Sequence, residues 1–130
     1  MTNGVTIDTS ELNTLAAAIS TATGRINAET RAVVSKGALN IKTETRENVS
    51  KNPYWARMAQ QVNYSMTGNA FYSQAEIGYD DVGQGELAGI YEFGSVKREP
   101  HPTLLPAFDR EAPRFEKAMG ALVAKVGDLL

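Results

Sequence analysis

The chain has 130 residues, 42% of them hydrophobic, which suits one domain, spanning 1–130, around one modest core. Its charged residues are mixed in sign and its formal charge of −2 gives no general reason to bind nucleic acid. It contains no cysteine, which removes disulfides, thiolate metal sites and cysteine nucleophiles together. No apolar run approaches the roughly 20 residues that span a bilayer. The N-terminal stretch lacks the basic start and apolar block of a signal peptide. The expectation is a soluble protein, intracellular when made, with no membrane partner.

Taken in order, Val5-Thr6-Ile7 is a brief β-prone run, long enough only for an edge strand. Asp8-Thr9-Ser10-Glu11 has the capping-box pattern that starts a helix. Leu12, Leu15, Ile19, Ala22 and Ile26 then recur at three- and four-residue spacing. After a slip the seam resumes at Val34, Ala38, Ile41 and Val49. This predicts one amphipathic helix, or two broken near Gly24, reaching to about Ser50 and packed on the domain's own sheet. A coiled-coil seam is the lesser reading, because Ala22, Gly37 and Ala38 are poor knobs. Asn52-Pro53 stops the helix. Trp55, in the aromatic cluster that follows, is expected to cover the edge of the core.

From Gln60 the period changes to two. Val62, Tyr64 and Met66 alternate with Asn63, Ser65 and Thr67, the pattern of a half-buried strand. Gly68-Asn69 reads as a hairpin turn. A second strand follows from Ala70 to about Tyr79, with Phe71, Ala75 and Ile77 on one face and Gln74 and Glu76 on the other. A bare hairpin is marginal, so the long helix and a further strand are expected to cover it. Asp80–Gly85 reads as a flexible acidic loop. The fold class is therefore α+β: a small antiparallel sheet packed against a long N-terminal helix and a C-terminal helix.

The most distinctive stretch runs from Leu87 to Phe108. Leu87, Ile90 and Tyr91 fall at i, i+3 and i+4, which predicts one short helical turn with all three on one face. Gly94 stands where that helix ends, in the left-handed conformation that glycine adopts at little cost. A mobile polar loop, Ser95–Pro102, carries Lys97 and Arg98. Pro106 suits the first turn of a new helix. That helix carries Phe108, Phe115, Met119, Leu122, Val123 and Val126, with a kink or restart expected at Pro113. Phe108 is expected in the core. Tyr91 is read equally as a core closure or a contact residue; Phe93 has the same two readings and is expected at or near a subunit contact.

Enzymatic chemistry is thinly provided. The single histidine, His101, lies between two prolines. With Asp80, Asp81 and Glu92 it forms the best available set for a divalent cation, which takes carboxylate oxygens. A small metal-dependent nuclease is the alternative reading that set allows. Gly83-Gln84-Gly85 is too short for a dinucleotide fingerprint. Lys97-Arg98 adjoins Glu99 and has no interleaved aromatic of the kind that binds single strands. No active site, cofactor site or metal site is assigned.

Tyr91-Glu92-Phe93-Gly94-Ser95, followed after a loop by Pro102-Thr103-Leu104-Leu105-Pro106-Ala107-Phe108, resembles a paired signature. It is that of the tail-completion, or neck, proteins of long-tailed bacteriophages, the type named after gene product ten of a Hong Kong lambdoid phage. Members read aromatic-x-Glu-aromatic-Gly-Thr and then Pro-Phe-Leu-Arg-Pro-Ala. Ser95 here replaces the threonine, Thr103 stands at a position where an aromatic is common, and Leu105 where an arginine is common. The resemblance implies a non-enzymatic virion protein of the tail or neck, of phage or prophage, assembled in the host cytoplasm. It implies a homo-oligomeric ring, a hexamer matching the tail tube. Its partners would be the tail-tube protein and the head-side connector or stopper proteins, with DNA passing through unread. The contact residues it implies are Tyr91, Glu92, Phe93, Gly94, Lys97, Arg98, Pro102 and Leu104. Head–tail joining and tail termination are close variants of this role. A host binding module with a phage-derived fold is the remaining alternative.

Overall fold

The computed structural model describes residues 9–69 and 72–129. Helix α1 spans Thr9–Ser50, strands β1 and β2 span Val62–Gly68 and Ser73–Tyr79, helix α2 spans Ala88–Phe93, and helix α3 spans Leu104–Leu129. Two 3-10 helices, Ala56–Gln61 and Gly83–Leu87, precede β1 and α2. The fold is α+β, as the alternating periods predict. Val5–Ile7 and Asp8 lie outside the described residues.

Helix α1 is continuous through Gly24, so the single-helix alternative holds. It ends where Asn52 turns the chain: the Asn52 side-chain oxygen accepts the N–H groups of Tyr54 (2.9 Å) and Trp55 (3.3 Å). A side chain that bonds backbone two residues on competes with helix and reverses the chain. Helix α3 runs antiparallel beside the second half of α1. Glu111 accepts from Asn40 at 2.9 Å, Arg110 pairs with Glu44, and Lys125 reaches Glu29 at 2.6 Å. Helix α3 continues through Pro113 without a restart; the seam against α1 holds the helix through the bond that proline omits.

The antiparallel strands pair Val62 with Tyr79, Tyr64 with Ile77 and Met66 with Ala75. These are the alternating apolar residues, and the hairpin lays that face on α1. Gly68 is a strand residue opposite Ser73 rather than half of a turn, because pairing continues to the Asn69 N–H on the Tyr72 carbonyl at 3.0 Å. The sheet has two strands. The expected covering strand is not found among the described residues.

Packing is uneven along α1. Val49, Met58 and Tyr91 form a closed core at its C-terminal end, flanked by Trp55, Ala59, Tyr79 and Ala88. Midway, Ala38 and Ile41 of α1 are buried, as are Ala107 and Leu122 of α3. The N-terminal half of the predicted seam does not pack on the domain. Leu12, Leu15 and Ile19 are 53–57% exposed, because this part of α1 projects beyond the end of α3. The acidic loop runs into a 3-10 turn, Gly83–Leu87. Gly85 is buried in the 3-10 turn, where a β-carbon would meet the Asp80 carbonyl at 1.8 Å.

Among the described residues, one buried side-chain group is unsatisfied. The Thr45 hydroxyl, on the inward face of α1, has no hydrogen-bond partner although its residue is fully buried. A buried hydroxyl without a partner costs about 1–3 kcal/mol. Thr45→Val should therefore stabilise the fold by about 1 kcal/mol and raise Tm by a few degrees. Thermal and urea melts check this; a lower midpoint would mean that the hydroxyl has a partner in solution.

Candidate interaction site

The two halves of the distinctive stretch meet at one carboxylate. Glu92, 5% exposed, accepts the Thr103 N–H at 2.7 Å and the Leu104 N–H at 2.6 Å. Those donors open α3, where the first N–H groups have no partner inside the helix and the helix dipole favours a negative charge. Helix α3 is thus capped by α2, eleven residues upstream of Thr103. Thr103 donates through its backbone, so the cap does not require an aromatic at this position.

Gly94 makes that geometry reachable. Its φ of 77° lies in the left-handed region, and its N–H closes α2 on the Ile90 carbonyl at 2.8 Å. A β-carbon there would stand 2.8 Å from the Pro100 nitrogen and 3.0 Å from the Arg98 carbonyl. Both conformation and space therefore require glycine. Beyond it, Ser95 and Arg98 exchange backbone hydrogen bonds of 2.9 and 3.3 Å, and the Lys97 N–H reaches the Ser95 hydroxyl at 3.3 Å. The predicted polar loop is a miniature hairpin. Its base is tied again where the His101 N–H donates to the Tyr91 carbonyl at 2.6 Å.

Under the hairpin lies an aromatic stack. The Tyr91 ring, 2% exposed, is tilted on Trp55 with centroids 5.3 Å apart and stacked on His101 at 5.4 Å. The Arg98 guanidinium lies 5.8 Å from the centre of the Trp55 ring. The Tyr79 hydroxyl meets the Thr103 hydroxyl at 3.2 Å. Burial pushes the Tyr79 phenol up to about 12; the Thr103 hydrogen bond opposes this, while the Glu92 carboxylate and Tyr91 add to it. Tyr91 is also raised, again first by burial.

The residues singled out from the sequence fall into two groups. Tyr91 and Glu92 are buried and hold the site together from inside, Gly94 is its hinge, and Leu104 is half-buried at the start of α3. Phe93 (70% exposed), Lys97, Arg98 and Pro102 face outward. Leu87 and Ile90 do not share the face of Tyr91. Both are exposed, and with Phe93 they line the outer side of α2 and the turn before it. Val96, fully exposed at the hairpin tip, was not anticipated as a contact residue. Thr103 was missed as an anchor, although a threonine directly before a proline-started helix is a capping signal.

The cation set does not assemble. Glu92 is turned into α3 and Asp80 accepts from Asn63, and no three acidic or histidine side chains converge among the described residues. No helix among them is long and apolar enough to cross a membrane. No family model matches the chain, and neither the curated proteins nor the solved structures yield a significant match.

Two substitutions separate cap from hinge. Glu92→Ala removes a charge-assisted cap and should cost about 1–3 kcal/mol. Gly94→Val should cost at least about 1–2 kcal/mol through backbone strain. Urea melts measure both, and an unchanged midpoint in either variant refutes the corresponding role. A third expectation concerns alkali. Tyr79 holds its proton more tightly folded than unfolded, so its contribution is fully present below about pH 10 and is lost as pH rises through about 12. Absorbance at 295 nm should show a tyrosine titrating near pH 12. A single tyrosine transition near pH 10 would contradict its burial.

Proposed function

We propose that this chain is a structural subunit of the tail-completion or neck assembly of a long-tailed phage or prophage. It acts as a ring-forming adaptor between the tail tube and the head-side connector. The observation that carries this reading is the cap made by Glu92. The two halves of the family-like signature form one device, in which the first half holds the helix that the second half begins. The device displays Phe93 and Val96 on a short, braced projection. Aromatic anchors of this kind dominate protein contacts.

The surface supports an assembling role. The chain, of 14.1 kDa, exposes 9245 Å². A compact monomer of that mass exposes about 6,700 Å². Part of the excess lies on the projecting half of α1, where Leu12, Leu15 and Ile19 are exposed. In this role the chain is virion-associated, assembles in the host cytoplasm, and lines a passage through which DNA moves without being read.

Phe93→Ala tests the projection. The ring is exposed in the single chain, so the variant should melt normally. Burial of the ring at a contact contributes about 1.5–3 kcal/mol, so ring formation and the joining of tails to heads should fall. Complementation of a phage lacking this gene measures the joining, and light scattering measures the rings. Full infectious titre from a normally folded variant removes Phe93 as an anchor. Joined, infectious particles without the gene remove the neck role itself.

A further inference from the structure

Among the described residues the sheet has two strands, and one edge of β2 is unpaired. The bonds Asn69 N–H to Tyr72 and Asp80 N–H to Gln61 fix the parity of the β1–β2 ladder. Asn63–Gly78, Ser65–Glu76 and Thr67–Gln74 are then the bonded pairs. The backbone N–H and C=O groups of Ser73, Ala75 and Ile77 point away from β1, and no described residue bonds to them. On that side lies a groove of about 350 Å³, floored by Ala38 and Ile41 of α1 and walled by Phe108, Ala112 and Phe115 of α3. No β1 residue lines it. It therefore runs along the open edge of β2, between that edge and α3. Neighbouring strands need about 4.8 Å, and a free, flat edge beside apolar walls is a template for one more strand.

The chain also carries a β-prone run that lies outside the described residues. Val5-Thr6-Ile7 leads directly into the projecting part of α1. It cannot enter its own groove. Val34, the lining residue nearest the start of α1, lies about 37 Å along the helix from Thr9. The extended chain from Thr9 back to Val5 spans only about 14 Å. Between them stand Leu12, Leu15 and Ile19, an exposed apolar stripe with nothing of its own domain to cover it.

We propose that Val5-Thr6-Ile7 of a second copy enters this groove and pairs along β2 as a third strand, with the following stripe lying on the same neighbour. The contact is heterologous, arm of one copy into groove of the next, and contacts of this type close into rings or run on as filaments. The inference rests on the proposed ring-forming role and names how its subunits join.

The absence of native cysteine makes the test direct. A Thr6→Cys protein is mixed with proteins carrying, one at a time, Ser73→Cys, Gln74→Cys, Ala75→Cys or Glu76→Cys. The mixtures are oxidised at concentrations where light scattering shows association, and the linked peptides are identified by mass spectrometry. Heterologous bonds from position 6 to alternate positions of β2 are the expected result. Bonds only between two β2 strands, or only between two copies of position 6, in an associating protein would overturn the proposal. So would a chain that remains monomeric at the highest attainable concentration. Val5→Asp with Ile7→Asp should weaken association roughly a hundredfold, from the loss of two buried side chains, while the melt is unchanged. Association as tight as that of the parent chain would overturn the strand. Complementation separates the two readings. A chain that crosslinks as expected but cannot restore phage assembly keeps this contact and loses the neck role. One that complements without the crosslinks keeps the role and loses the contact.

Discussion

One buried carboxylate sets the architecture of the functional end of this protein. The first N–H groups of α3 must be satisfied, and Glu92 satisfies two of them from another element. The carboxylate, the Gly94 turn and the His101–Tyr91 bond together fix both ends of the segment between α2 and α3. A loop with fixed ends and an internal hairpin has little conformational freedom left. Any partner that binds its tip avoids much of the ordering cost that a free loop would impose. The requirement of a helix end thus becomes a rigid display of Phe93 and Val96.

The molecule is closed at one end and open at the other. Val49, Met58 and Tyr91 seal the region around the C-terminus of α1. Further along the helix the sheet has two strands among the described residues, and beyond them α1 projects past the end of α3. Intrinsic propensity alone leaves such a projection marginal in water. Its continuity with the packed half supplies the nucleus, so the helix propagates into solvent and keeps its apolar stripe on one side. Single exposed apolar residues are ordinary; a stripe at helical spacing beside an unpaired strand edge is the unusual combination.

Much of the fold was legible in the sequence because periodicity reports local structure directly. The change of period at Gln60, the alternation from Val62 to Met66 and the proline-started helix all appear where predicted. Contact partners were less legible. The stripe of Leu12, Leu15 and Ile19 has the spacing of a packed seam, and spacing states that a face is apolar without stating what covers it. Pro113 read as a break because the lost hydrogen bond is local, whereas the seam that tolerates it is tertiary. Glu92 was expected among the contact residues that the resemblance implies, whereas it is buried at the start of α3. Its cap is remote in sequence, so no motif of fixed local spacing could reveal it. Gly94, by contrast, needs its left-handed φ for a purely local reason and was placed correctly.

The position of the unsatisfied features along one helix adds a geometric constraint. Groove and arm belong to the same α1, so their separation is set by a rod rather than by a linker. If each arm seats in the next groove, every subunit repeats one transformation, and the rod's fixed length leaves few ways for it to vary. A flexible tether would permit closed dimers, in which two copies exchange arms face to face. The span of about 37 Å between arm root and groove fixes how far apart successive contacts lie. An edge strand left open would otherwise invite unspecific pairing, which proteins suppress with charge, proline or cover. On β2 the outward side chains Gln74 and Glu76 are polar and the groove is recessed against α3. The edge is therefore open only to a narrow entrant. A single extended segment meets that requirement, whereas a whole sheet edge carries flanking bulk that α3 obstructs.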